Sequence, residues 1–206
     1  MTANAQAQRQ PRELPMTPEN TETVELPRPV DVRSSDLLGF PPVLDVCCGP
    51  KGMWFNKHDP RAMFADRRRE YWKMEHPSGT RTANIDPDII ADFTSLPFPD
   101  NTFALVVIDP PHIPQETCTG MVVRQYGHLA GDWREMLRKG FAECFRVLRP
   151  DGTLIFKWNE CRVPVKEILA LTDVSPLFGH KSGKFMQTHW IAFLKPNPKI
   201  DGRGTL

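Results

Sequence analysis

The sequence has no long apolar run. None approaches the roughly 18 residues needed to span a bilayer, and the first thirty residues hold no apolar core of a secretion signal. A membrane role is therefore not expected, and a cytoplasmic location is. Cysteine is sparse and poorly spaced for cross-linking. Cys47, Cys48, Cys118, Cys144 and Cys161 are odd in number, and no pair has C-x-x-C spacing. Reduced, mostly buried thiols fit that pattern. The six histidines form no H-E-x-x-H or Cys/His cluster, so no metal site is expected. Net charge is nearly absent, at +1, so no global basic field points to a polyanion.

What is present suits one globular domain. A chain of 206 residues, 40% hydrophobic and 25% charged, can bury a core without staples. Residues 1–32 are rich in Pro, Gln, Thr and Glu and lack aromatics; the composition predicts a disordered or loosely docked tail. The domain is expected over 33–200, with a short tail at 201–206. Charge is uneven along it: from Asp86 to Asp109 there are five acids and no Lys or Arg. From Lys157 onward basic residues outnumber acids eight to four. An acidic lip beside a basic flank suits a cationic cofactor and an anionic substrate, and equally suits two solvated faces.

Strand and helix patterns alternate. Short apolar runs at 42–48, 62–66, 88–93, 102–109, 153–158 and 189–195 predict strands, and their continuous burial predicts a sheet covered on both faces. "DWREMLRKGFAECFRVL" (132–148) carries apolar residues at helical spacing and is closed by Arg-Pro-Asp-Gly; "VPVKEILAL" (163–171) predicts a shorter helix. The alternation predicts an α/β fold with a mostly parallel sheet.

Ligands of such sheets sit beyond the carboxyl ends of the strands. Four expected strand ends each place an acid there: Asp45 before Cys47-Cys48-Gly49-Pro50-Lys51-Gly52, then Asp66, Asp92 with Phe93, and Asp109-Pro110-Pro111-His112. Neither the first loop nor "GHKSGKF" (179–185) has the spacing of a phosphate-binding P-loop. Carboxylates accept hydrogen bonds from ribose hydroxyls, and an acidic rim tolerates a sulfonium better than a pyrophosphate.

"VLDVCCGPKG", "DIIADFTSLPFPDNTFALVVID" and "FRVLRPDGTLIF" resemble, in that order, blocks of the class I S-adenosylmethionine-dependent methyltransferases. The resemblance covers about residues 42–158. It implies a Rossmann-like domain with helices on both faces of a mostly parallel seven-stranded sheet, finished by a C-terminal hairpin. The tetrad Asp109-Pro110-Pro111-His112 is similar to the (D/N)-P-P-(aromatic) signature of amino methyltransferases acting on nucleic acid bases, and the whole chain to small methyltransferases of phages and prophages. The resemblance implies S-adenosylmethionine as cofactor. Asp45, Cys47 and Gly49 then shape the cofactor loop, Asp66 holds the ribose, and Asp92 and Phe93 contact the adenine. Cys47 stands where the family has a glycine. The short linker to the second strand implies a truncated first helix.

The expected chemistry is an in-line methyl transfer, in which the protein aligns the nucleophile and supplies a favourable field. Asp109 and the Pro110 carbonyl would accept the two N–H bonds of an exocyclic amino group. Pro110 and Pro111 make a stiff shelf. His112 stacks on a base, serves as a general base, or is a loop histidine. Tyr126, Trp133, Lys157, Trp158 and Asn159 are candidate substrate contacts, with Trp133 equally suited to the core. Arg67, Arg68 and Arg69 are either a solvated run or a phosphate contact. The segment 112–131 reads as a mobile lid. The leading expectation is methylation of a nucleic acid base, adenine N6 in DNA before RNA. The alternatives are a small-molecule methyltransferase and a non-catalytic cofactor-binding module.

Overall fold

The computed structural model describes residues 39–74, 79–113, 121–129 and 131–198. Cys118 and the expected tails at 1–32 and 201–206 lie outside these residues, as does much of the expected lid. Among the described residues nine strands form: β1 (Val43–Asp45), β2 (Ala62–Asp66), β3 (Glu70–Met74), β4 (Arg81–Ile85), β5 (Ile89–Ile90), β6 (Phe103–Ile108), β7 (Leu148–Asn159), β8 (Phe178–Ser182) and β9 (Thr188–Leu194). Three helices accompany them in the same residues: α1 (Met121–Tyr126), α2 (Trp133–Val147) and α3 (Val165–Leu169).

Seven strands make one sheet in the order β5-β2-β1-β6-β7-β9-β8. Pairings from β5 to β7 are all parallel, and β9 alone runs against its neighbours. The chain steps outward from β1 to β2 and β5, then returns to place β6 on the other side of β1. That reversal leaves a crevice at the carboxyl ends of β1 and β6. The seven-stranded, mostly parallel sheet with a closing antiparallel hairpin has the strand order of the class I methyltransferase fold, as the sequence blocks implied.

Alternation along each strand divides the packing. Leu44 of β1, Val106 and Ile108 of β6, Leu154, Phe156 and Trp158 of β7, and Phe193 of β9 share one cluster with Leu137, Phe141 and Cys144 of α2 and Ile168 of α3. A smaller cluster of Cys48, Ala62 and Phe64, flanked by Val43 and Trp54, lies apart from it. Asp132 caps α2 by accepting a hydrogen bond from the Glu135 N–H at 3.2 Å. Leu148 then turns extended, so β7 begins directly at the helix end.

Three details differ from the sequence pattern. The linker expected to truncate the first helix holds no helix; residues 46–61 run in turns, where Pro50, Gly52 and Pro60 break any apolar period. Between β2 and β5 stands an antiparallel hairpin, β3–β4, whose Trp72, Ala83 and Ile85 are buried at period two among exposed neighbours. The helix expected at 163–171 is only Val165–Leu169, since Pro164 occupies its N-cap.

Gly140, inside α2, faces Phe93 beyond β5. A Cβ there would sit 2.5 Å from two atoms of the Phe93 ring. Ala normally gains about 1 kcal/mol over Gly in a helix, but overpacking a buried ring costs about 1–3 kcal/mol. Gly140→Ala is expected to lower stability by about 1–2 kcal/mol in urea unfolding; a gain in stability would show that Phe93 can retreat.

Candidate functional site

Three neighbouring strands, β2, β1 and β6, end in or beside Asp66, Asp45 and Asp109. Each carboxylate has a different environment. Asp45 is wholly buried. It accepts the Trp54 indole N–H at 2.7 Å and the Cys47 backbone N–H at 3.2 Å. Burial is the main reason its carboxyl is pushed up to about 7, with Asp109 and Asp66 adding like-charge repulsion against the Trp54 and Cys47 hydrogen bonds. Asp45 thus braces the loop from beneath and faces no cavity among those described.

Asp66 ties that loop to β2. Its Oδ2 accepts the Gly49 N–H at 2.9 Å, and its Oδ1 accepts the Arg68 N–H at 3.0 Å. Gly49 has a positive φ of 49°, and a Cβ there would lie 3.4 Å from the Tyr126 ring. Tyr126 therefore lies over the glycine loop. Arg68 holds α1 in that place. Its guanidinium donates to Glu70 and to the backbone carbonyls of Arg124 and Gln125, and pairs with Asp66 at 3.5 Å.

A cleft opens above this loop. Its walls are Val46, Cys47, Phe93, Pro111 and Met136, with Asp66, Arg67, Arg68, Tyr126 and His128 supplying polar groups. Apolar and aromatic walls with one carboxylate suit a planar heterocycle bearing a ribose. Asp92 lies outside it, exposed, with Oδ1 accepting from the Thr94 backbone and hydroxyl.

The second cavity, of about 110 Å³, is lined by Asp109, Pro110, His112, Tyr126, Lys157, Asn159 and Thr188. Lys157 donates to Asp109 Oδ2 and pairs with it. Asn159 donates to the Thr188 hydroxyl at 3.1 Å. Burial raises the Asp109 carboxyl, while Lys157 and His112 pull it back. Burial lowers the His112 imidazole, with Lys157 in the same direction and Asp109 opposing, so it is neutral near pH 7. His112 stands edge-on to Trp158, ring centroids 6.4 Å apart.

The two cavities share Tyr126 and are walled by consecutive prolines, Pro111 on one side and Pro110 on the other. Of the sequence candidates, Cys47, Asp66, Phe93, Asp109, Pro110, Pro111, His112, Tyr126, Lys157 and Asn159 line one or both. Trp158 lies in the core, fully buried, stacked on Phe156 and donating to the Val163 carbonyl. Trp133 packs against the same core from the start of α2. Thr188, Trp54, His128 and Met136 were not singled out from the sequence. Thr188 enters through its pairing with Asn159 across β7 and β9, which no local pattern announces.

No protein-family model matches the chain, and no curated protein matches it. Solved structures are similar to it. The PH0226 protein of Pyrococcus horikoshii is 16% identical, with 75% of this chain and 81% of that one covered and a TM-score of 0.48. A TehB-like SAM-dependent methyltransferase from Corynebacterium glutamicum is 15% identical, covering 74% and 79%, with a TM-score of 0.45. A 1,6-didemethyltoxoflavin-N1-methyltransferase from Burkholderia thailandensis, solved with S-adenosylhomocysteine, is 12% identical, covering 75% and 71%, with a TM-score of 0.47.

Asp45 makes a signed stability prediction. Its carboxyl is raised from 3.8 to about 7 on folding, so between those values the folded state holds a proton that the unfolded chain has released. The contribution of Asp45 to stability therefore falls as pH rises through that window, by at most about 1.4 kcal/mol per pH unit. In thermal unfolding from pH 4 to 8, Asp45→Asn should gain on the wild type as pH rises and level off above about 7. A constant difference would mean that folding leaves the Asp45 carboxyl unshifted.

Proposed function

We propose that the chain is an S-adenosylmethionine-dependent methyltransferase whose acceptor is a small molecule held beside Asp109. The observation that carries this reading is the pair of cavities meeting at Pro110, Pro111 and Tyr126, on the carboxyl edge of a sheet with class I order. The residues of the first cavity fit that cofactor. Phe93, Val46 and Met136 offer faces to an adenine and a thioether. Each Asp66 oxygen, having accepted one backbone N–H, keeps a lone pair for a ribose hydroxyl.

When bound, the cofactor supplies a methyl group on a sulfonium: the S–CH3 bond breaks as the acceptor–CH3 bond forms, and the sulfur leaves as a neutral thioether. The chain's own residues place the acceptor and manage its proton. Pro110 and Pro111 fix the backbone between the two cavities. The neutral His112 and the free oxygen of Asp109 are the groups that can take up the proton released by the acceptor.

The basic run supports a small acceptor over a polymer. Arg68 is committed to Asp66, Glu70 and α1, and Arg69 donates to the Pro87 carbonyl and pairs with Asp86. Only Arg67 of the three is exposed, which makes no phosphate track. The Asp109-Pro110-Pro111-His112 tetrad favours a second reading, an exocyclic amino group of a nucleic acid base, adenine N6 in DNA before RNA. Such a base would reach the cleft only flipped or from a single strand.

Calorimetry should show S-adenosylhomocysteine binding to wild type and to Asp109→Ala with affinities within about threefold, since Asp109 lines only the second cavity. With isotope-labelled S-adenosylmethionine and a panel of heteroaromatic amines, phenols and carboxylic acids, beside unmodified DNA and RNA, label is expected on a small molecule. Asp109→Ala should reduce that transfer by roughly 10²–10⁴-fold. Label on a polymer, weakening steeply with salt, would establish the second reading; absence of cofactor binding would overturn both.

A further inference from the structure

Lys157, a substrate-contact candidate from the sequence, stands beside the tetrad and is bound to it. It belongs to β7, pairs across the sheet with Trp190 of β9, and its ammonium lies 5.5 Å from the centroid of that indole ring. From there it reaches Asp109 at the end of β6 and donates to Oδ2. The side chains are 24% and 12% exposed, so water screens the pair poorly. Asp109 Oδ1 has no hydrogen-bond partner among the described residues, and its side chain lines the second cavity.

On the transferase reading above, we infer that Lys157 is a positioning residue: it holds Asp109 as a carboxylate with Oδ2 occupied, so that Oδ1 faces the cleft as the acceptor for an N–H or O–H of the methyl acceptor. The surroundings make such a partner necessary. Asp45 stands on the adjoining strand and Cys47 on the first loop, both close enough to Asp109 for mutual repulsion when charged. His112, on the same loop as Asp109, is neutral near pH 7, and Tyr126 of α1 closes the cleft from the other side. Among the described residues Lys157 is the cation paired with Asp109. Without it, burial raises the Asp109 carboxyl with no lysine charge to oppose it, and the carboxyl takes up a proton at higher pH. A protonated Asp109 would present a donor to the acceptor group in place of a lone pair. Trp190 restricts where the ammonium can go, through the attraction of a cation for the ring face.

The test titrates Asp109 directly. The full chain is labelled with 13C at aspartate carboxyl carbons, and the Asp109 resonance is assigned with Asp109→Asn. Its shift is followed with pH in wild type, Lys157→Met and Lys157→Arg. Lys157→Met should move the Asp109 midpoint upward by about one to three pH units; Lys157→Arg should return most of that shift, because a guanidinium restores the charge. An unmoved midpoint in Lys157→Met, or equal behaviour of Met and Arg, would overturn the assignment. S-adenosylhomocysteine affinity, read by calorimetry on the same samples, should stay within about threefold in both variants, since Lys157 does not line the first cavity. Loss of cofactor binding by the wild type would defeat the transferase reading while leaving the Asp109 titration to report on Lys157. A wild-type midpoint unaffected by Lys157→Met beside intact cofactor binding would defeat the positioning role alone.

Discussion

Three carboxylates crowd one edge of the sheet, and the surrounding residues let like charges share it. Asp66, Asp45 and Asp109 end β2, β1 and β6, which are hydrogen-bonded neighbours. A parallel sheet aligns its carboxyl ends, so acids placed at successive strand ends cannot avoid one another. Each is stabilised differently. Asp45 takes an indole and a backbone N–H and has its pKa pushed up to about 7. Asp66 takes two backbone N–H groups and lies beside Arg68. Asp109 takes Lys157. Burial and repulsion make all three arrangements costly to disrupt.

The same solutions shape the two cavities. The Asp66–Gly49 hydrogen bond folds the first loop back on β2, and Arg68 fastens α1 so that Tyr126 lies over that loop. Tyr126 then belongs to both cavities, with Pro110 and Pro111 standing between them. In the proposed reaction this geometry brings donor and acceptor together through rigid backbone, the part of catalysis that positioning supplies. Asp66 presents lone pairs to one cavity and Asp109 presents one free oxygen to the other. Asp45, on the strand between them, braces the first loop from beneath.

Much of the fold was legible because continuous apolar strands are a strong local signal. β2 is Ala62–Asp66, as its pattern predicts, and β6 and β9 lie within a residue of their expected ends. The β3–β4 hairpin was not legible. Its buried residues are one Trp, one Ala and one Ile among polar neighbours, too few for a period-two signal to stand out. The start of β7 at Leu148 was also hidden: Arg-Pro-Asp-Gly reads as a helix stop and turn, whereas pairing of Leu148 with Phe103 draws the chain into the sheet five residues early.

The candidate site divides the same way. By itself the sequence determined which acids sit at strand ends, that two prolines follow Asp109, and that an α/β domain with a mostly parallel sheet surrounds them, since strand periodicity and proline geometry are local properties of the chain. Only the tertiary structure decided what each acid touches. Trp158, a neighbour of Lys157 in sequence, faces the core because successive strand residues point to opposite faces, so Lys157 reaches Asp109 instead. Thr188 joins the cleft through strand register, and Asp92 turns outward to Thr94. Such contacts join residues far apart in the chain, 57 positions in the case of Arg68 and Gln125. They depend on sheet order and register, which the packing of the whole domain settles.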